Sequence, residues 1–317
     1  MSLRLRLLRG LLRLDRLRTI GGRTPSVAAM RGWSERVARS QPGWPHHINT
    51  RWVEAAGVPC LWVEPPAADP RKTLFYLHGG GYMLGSVAST HRGFAWRLAQ
   101  AAGCRMLGVD YRLAPEHPFP AALDDAVRAW RWITEDQGVD ASRIVLGGDS
   151  AGGGLAYGML LPLRAQGAPM PAAVITISPW TDLALTGATL TENRRRDPMI
   201  PIRALRSVVD WYLAGGDPRD PRASPLYGDL QQAPPSLILA GDSEVLLDDA
   251  RRLAIALADG GSRTVLRVWP LVPHAWPVLS PTLPESRQAI ELCARYLANL
   301  EWGRASSRAQ DDREIHS

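Results

Sequence analysis

From residue 51 onward, short apolar runs alternate with longer amphipathic ones, and that rhythm leaves few architectures open. "TLFYLHG" (73–79), "CRMLGVD" (104–110), "RIVLGGD" (143–149), "AAVITIS" (172–178), "SLILAGD" (236–242) and "TVLRVWP" (264–270) are each of strand length. Several are apolar nearly throughout, as strands buried on both faces should be. Helical patterns fall at 91–102, 121–136, 151–166, 247–259 and 285–300. This alternation predicts a mostly parallel sheet with helices on both sides. Ahead of it, "RWVEAAGVPCLWVEP" (51–65) reads as a hairpin with a glycine turn, which brings the expected strands to eight.

Two segments break the rhythm. The first 50 residues are helical in character and end in the loop-like "SQPGWPHHINT". Residues 184–228 are rich in arginine, proline and aspartate and carry one amphipathic piece, "IRALRSVVDWYLAGG". Together they are expected to form a helical cap over the carboxyl edge of the sheet, where open α/β sheets bind ligands. The expected division is therefore 1–50 cap helices, 51–183 core, 184–228 cap insertion and 229–303 core. The polar tail 304–317 is expected to be disordered.

Within "MSLRLRLLRGLLRLDRLRTI", a helix would carry a leucine stripe (Leu8, Leu11, Leu12) and an arginine face (Arg9, Arg13, Arg16). It reads as a helix packed on the fold with its arginines in water. Peripheral contact with an anionic membrane remains the second reading. The arginines interrupt any secretory h-region, and no run of about 18 uncharged apolar residues occurs anywhere. The formal net charge is +6, but no zinc-finger or RNA-recognition pattern accompanies it, so nucleic-acid binding is not expected. Cys60, Cys104 and Cys293 lack CxxC spacing and a disulfide framework, which suits a reducing cytoplasm.

"GGDSAGGG" (147–154) admits a phosphate-cradling loop, a linker or a serine on a strained turn. A P-loop needs a lysine after its last glycine, and a linker would not join a strand to an apolar helix. "RIVLGG" before it and "GGGLAYGMLLPLRAQ" after it place Ser150 on a strand-to-helix turn. There "GDSAG" fits the G-x-S-x-G nucleophile elbow. Gly148 and Gly152 are expected because a Cβ at either would strike backbone. Asp149 should point away from the site and bond nearby backbone.

A serine hydroxyl needs a general base, itself oriented by an acid. Only His274 and His316 follow the serine, and His316 is in the tail. His274, in "WPLVPHAWP", stands in a loop after the last strand and is the candidate base. "LILAGDSEVLLDDA" offers Asp242, Glu244, Asp248 and Asp249 as the acid. Asp248 and Asp249 fall in a first helical turn, where acids are favoured anyway. Glu244 is preferred, with Asp242 and Asp248 left open. Oxyanion donors are expected from the bare N–H groups of "HGGG" (78–81) and from Ala151.

With "HGGG" and "GDSAGG" in place, the chain resembles the bacterial hormone-sensitive-lipase-like group of α/β-hydrolases. Further matching stretches are "VDYRLAPEHPFPAALDD" (109–125), "ISPWTDL" (177–183), "DPMI" (197–200) and "SPLYGDL" (224–230). The resemblance implies an α/β-hydrolase fold and a serine carboxylesterase acting on short- to medium-chain acyl esters, with no metal or organic cofactor. By motif it implies Ser150 as nucleophile, His274 as base, and Gly80, Gly81 and Ala151 as oxyanion donors. Many members have aspartate followed by proline where this chain has Glu244-Val245, which bears on the acid. An amidase or aryl-formamide hydrolase would use the same groups. Plant gibberellin receptors, which lose the histidine, represent a non-catalytic alternative. A homodimer is among the oligomeric states left open. His78 is expected to brace the oxyanion loop, and Arg112, Glu116 and Asp124 to tie a proline-stiffened loop. Tyr82, Trp180, Trp211 and Trp276 are candidates to line the acyl pocket.

Overall fold

The computed structural model describes residues 1–20 and 26–303. The tail expected to be disordered, with His316, lies outside the described residues. The hairpin forms as β1 (Asn49–Ala55) and β2 (Val58–Glu64). Ala56 and Gly57 between them both have positive φ (51° and 79°), which a two-residue hairpin turn of matching twist requires. The remaining strands are β3 (Asp69–Leu77), β4 (Cys104–Val109), β5 (Ile144–Asp149), β6 (Ala173–Ile177), β7 (Ser236–Gly241) and β8 (Thr264–Trp269). They form one sheet in the order β1-β2-β4-β3-β5-β6-β7-β8. β2 pairs antiparallel with β1 and β4, and every other pairing is parallel.

The described helices are α1 (Leu3–Ile20), α2 (Val27–Ser40), α3 (Arg92–Ala102), α4 (Ala121–Arg131), α5 (Ala151–Ala165), α6 (Thr189–Glu192), α7 (Ile202–Leu213), α8 (Leu247–Asp259), α9 (Trp276–Leu279) and α10 (Pro284–Ala298). The pattern at 121–136 is α4 followed by a five-residue π turn, Trp132–Asp136. Strand side chains alternate between two apolar layers, as the pleat demands. Leu74 and Tyr76 of β3 face Phe94 and Leu98 of α3 and Ile290 and Leu297 of α10. Phe75 and Leu77 face the layer that holds Trp130 of α4, Leu155 of α5 and Leu253 of α8. Cys60, Cys104 and Cys293 are buried free thiols. No described helix is long and apolar enough to cross a membrane.

α1 docks differently from the expectation. Its inner face consists of Leu5, Leu8, Arg9, Leu12 and Arg16, while Leu11 is exposed. Arg9 is buried and donates to Ser243 Oγ (2.9 Å) and to the Leu271 carbonyl. Arg16 donates to the carbonyls of Arg194 (2.6 Å) and Asp197. The loops beneath α1 present carbonyls that need donors, and a long guanidinium stem reaches them while its methylenes pack. At the other end, Ser2 donates from N and Oγ to the Glu285 carboxylate of α10 (2.6 and 2.9 Å).

Candidate active site

The strands deliver their carboxyl ends to one edge, and the candidate groups stand there. β5 runs into α5 through Ser150, whose φ of 52° and ψ of −123° lie outside the regions open to ordinary residues. Glycine makes this turn buildable. A Cβ on Gly152 would lie 2.0 Å from the Leu77 carbonyl oxygen, and one on Gly148 would lie 2.4 Å from that of Gly152. The Ser150 N–H donates to the Ile177 carbonyl (2.9 Å), tying the turn to β6.

Asp149 turns its carboxylate inward, under the oxyanion loop. It accepts from Tyr76 Oη (2.8 Å), the Gly79 N–H (3.0 Å) and His91 Nε2 (2.9 Å). Burial pushes its pKa up, but His91, Tyr76 and Gly79 outweigh that and hold it below the usual carboxyl value. His78 stacks on Tyr111 at 4.3 Å with its Nδ1 on the Gly79 carbonyl (2.9 Å). Burial and the charge of His91 lower its pKa to about 4, so it remains neutral.

Glu244 follows β7 and His274 follows β8, and both are buried. His274 Nδ1 lies 2.8 Å from Glu244 Oε2. The other Glu244 oxygen accepts from Ser178 Oγ (2.7 Å) and from the Gly241 N–H. Burial would lower the His274 pKa; the hydrogen bond and charge of Glu244, with Asp197 and Asp149 behind, raise it above the imidazole value. Its Nε2 is buried and has no hydrogen-bond partner among the described residues. The other candidate acids are engaged elsewhere. Asp242 accepts from the Leu271 N–H (2.7 Å) and pairs with Arg196, and Asp248 accepts from the Thr189 N–H (3.1 Å). Asp249 does more than favour a helix start. It accepts from the Thr181 and Asp182 N–H groups, and burial lifts its pKa to about 7.

Gly80 and Gly81 follow β3 with φ of 126° and 62°, and a Cβ on Gly80 would meet the Leu84 carbonyl oxygen at 2.1 Å. Their N–H groups donate to no partner among the described residues, unlike that of Gly79. Ala151 begins α5, where the first N–H groups of any helix lack an intrahelical acceptor. A cavity of about 460 Å³ gathers Ser150, His274, Gly80 and Gly81. Its far wall comes from residues outside the sheet, among them Leu12 of α1, Met30 and Trp33 of α2, and Leu205 and Val208 of α7.

Of the four aromatics proposed for the pocket, only Trp180 lines this cavity. Tyr82 is buried and stacked on Tyr212 at 3.8 Å. Trp276 packs against Trp269 and donates to the Glu285 carbonyl, and Trp211 is half-buried on α7. The 112–124 loop is also wired differently. Arg112 pairs with Asp125 (2.8 Å), Asp124 is exposed, and Glu116 is held by Arg31 of α2 (2.6 Å). Three residues given no role by sequence reasoning join the site. Ser178 accepts from the Ala275 N–H (3.1 Å) and so bridges Glu244 to the histidine loop. Asn193 donates to the carbonyls of Asp242 (3.0 Å) and Glu244 (2.8 Å), and Asp197 accepts from the Val245 N–H (2.9 Å). Ser178 and Asp197 lie in the stretches "ISPWTDL" and "DPMI"; Asn193 lies outside every matching stretch.

Comparison with known proteins agrees with this architecture. A family profile described as alpha/beta hydrolase fold matches residues 74–278. An acetyl-hydrolase of Streptomyces hygroscopicus is 48% identical over 236 residues, covering 74% of this chain and 78% of its own. An esterase of Acinetobacter venetianus is 32% identical over 88% of this chain and 93% of its own. The crystal structure of an esterase from the bacterial hormone-sensitive lipase family superposes with a TM-score of 0.88 at 42% identity. That match covers 94% of this chain and 98% of the other.

Proposed function

The chain belongs to the alpha/beta hydrolase fold family, in its bacterial hormone-sensitive-lipase branch, and from that premise we propose a serine carboxylesterase with Ser150, His274 and Glu244 as its triad. It is a carboxylic ester hydrolase acting on small-molecule esters. The observation that carries the triad is His274, with Nδ1 on Glu244 and an Nε2 that has no partner among the described residues, lining the same cavity as the strained serine.

Glu244 accepts a hydrogen bond from Nδ1–H, keeps the proton on that nitrogen and so leaves the Nε2 lone pair free to act as base. Ser150 Oγ attacks the ester carbonyl carbon while its proton passes to Nε2. The carbonyl oxygen becomes an oxyanion in reach of the Gly80, Gly81 and Ala151 N–H groups, which strengthen as charge develops. On collapse, Nε2–H protonates the departing alkoxide and the acyl group stays on Oγ. Water then repeats the sequence, giving up its proton to Nε2 and releasing the carboxylic acid. Residues 1–50 and 184–228 act as a cap, whose apolar wall shields the acyl group and excludes water.

Hydrolysis of a p-nitrophenyl ester series from acetate to palmitate tests this. Wild-type activity should peak at short to medium chains. Ser150→Ala should lower kcat on the order of 10⁴-fold or more without lowering Tm. Full activity in Ser150→Ala would remove the serine from the mechanism.

A further inference from the structure

α1 is apolar on two opposite sides. One side is the docked face of Leu5, Leu8 and Leu12. The other is a stripe of Leu3, Leu7, Leu11 and Leu14, exposed by 71%, 61%, 64% and 57%. These four recur at spacings of four, four and three, so they form one continuous ridge along the helix. Exposed arginines flank it: Arg4 on one side, Arg6 and Arg13 on the other. Asp15 is the only acid among the first 20 residues. Beneath the helix, Leu12 and Arg16 line the cavity that holds Ser150.

We propose that this outer face docks on an anionic phospholipid surface. The leucine ridge enters the boundary between headgroups and acyl chains, and the flanking guanidinium groups meet the lipid phosphates. Charge decides between a lipid surface and a second copy of the chain. Two such helices face to face would bring Arg4, Arg6 and Arg13 of both copies together with almost no carboxylate to answer them. An anionic surface supplies the missing charge along the whole ridge. Docking there would set the roof of the cavity against the membrane, so that esters partitioned in lipid lie close to the site. The binding itself does not depend on the catalytic assignment.

The test is co-sedimentation of the full chain with vesicles of phosphatidylcholine alone and of equimolar phosphatidylcholine and phosphatidylglycerol. Binding to the mixed vesicles is expected, falling as salt rises, with little binding to phosphatidylcholine alone. L3S/L7S/L11S/L14S and, separately, R4Q/R6Q/R13Q should each weaken it by about tenfold or more. None of these side chains lines the cavity, so both variants should keep wild-type hydrolysis of p-nitrophenyl acetate, which also reports that they fold. Vesicle binding unchanged in both variants would overturn the proposal. So would no binding by the wild type, or a concentration-dependent dimer that the leucine variant abolishes while vesicles capture nothing.

Discussion

His274 acts in an environment that pulls its proton affinity two ways, and the charges win. Its imidazolium is stabilised by Glu244 2.8 Å away, so the neutral base that the proposed mechanism requires forms only above the ordinary imidazole range. The acid limb of kcat/KM should therefore lie above the model-peptide value of about 6.5. Glu244→Gln should shift that limb downward and lower kcat by up to about 10⁴-fold, because an amide facing Nδ1 favours the wrong tautomer. A limb at the unperturbed value in the wild type would mean that Glu244 leaves the imidazole unaffected. Gly152 is constrained by contact alone: Gly152→Ala places a Cβ 2.0 Å from the Leu77 oxygen, so insoluble or strongly destabilised protein is expected on purification. Ser150, the glycines and His274 were legible because their requirements are local or ordered along the chain. Glu244 could be preferred but not separated from Asp242 and Asp248, since what distinguishes them is a set of partners from the end of β6, from α6 and from the loop after β8.

The ends of β3 and β5 are joined through Asp149, which serves three donors from Tyr76, Gly79 and His91. Asp149→Ala would leave those groups buried without an acceptor, at a cost of about 3–5 kcal/mol. For a chain of this size that is on the order of a 10 °C fall in Tm, measurable by calorimetry. Because the native carboxyl titrates below its unfolded value, its stabilisation is present above the unfolded pKa of about 4 and is lost as pH falls through the native one. Acid unfolding of the wild type should thus converge on that of Asp149→Ala at low pH. Strands and helices were legible at this scale because β5 is apolar up to its last residue, Asp149, and the patterned helices change period cleanly. The pocket aromatics were not: Trp276 and Tyr82 differ from Trp180 only in which neighbour covers them, and single-residue identity carries no record of that.

Across the whole molecule, α1 spans parts of the chain that lie far apart in sequence. Arg9 reaches both Ser243, next to Glu244, and Leu271, three residues before His274. Arg9→Met should lower Tm by about 5–10 °C through the lost donors. It should also reduce kcat well below that temperature, by loosening the two loops against each other; a Tm loss with kcat intact would restrict Arg9 to holding the helix. The helix was readable as amphipathic, but its orientation was not, because leucine populates both sides and acceptors distant in sequence, the carbonyls at 194, 196, 197 and 271 and the Ser243 hydroxyl, select the inner one. A matter of timing follows. During synthesis α1 leaves the ribosome ahead of every strand of the sheet, yet its fastenings at residues 194–197, 243, 271 and 285 are made only when most of the chain has followed. Through that interval the helix has leucines on two opposite sides and no sheet to lie against, so an element made before the sheet is among the last that can find its place.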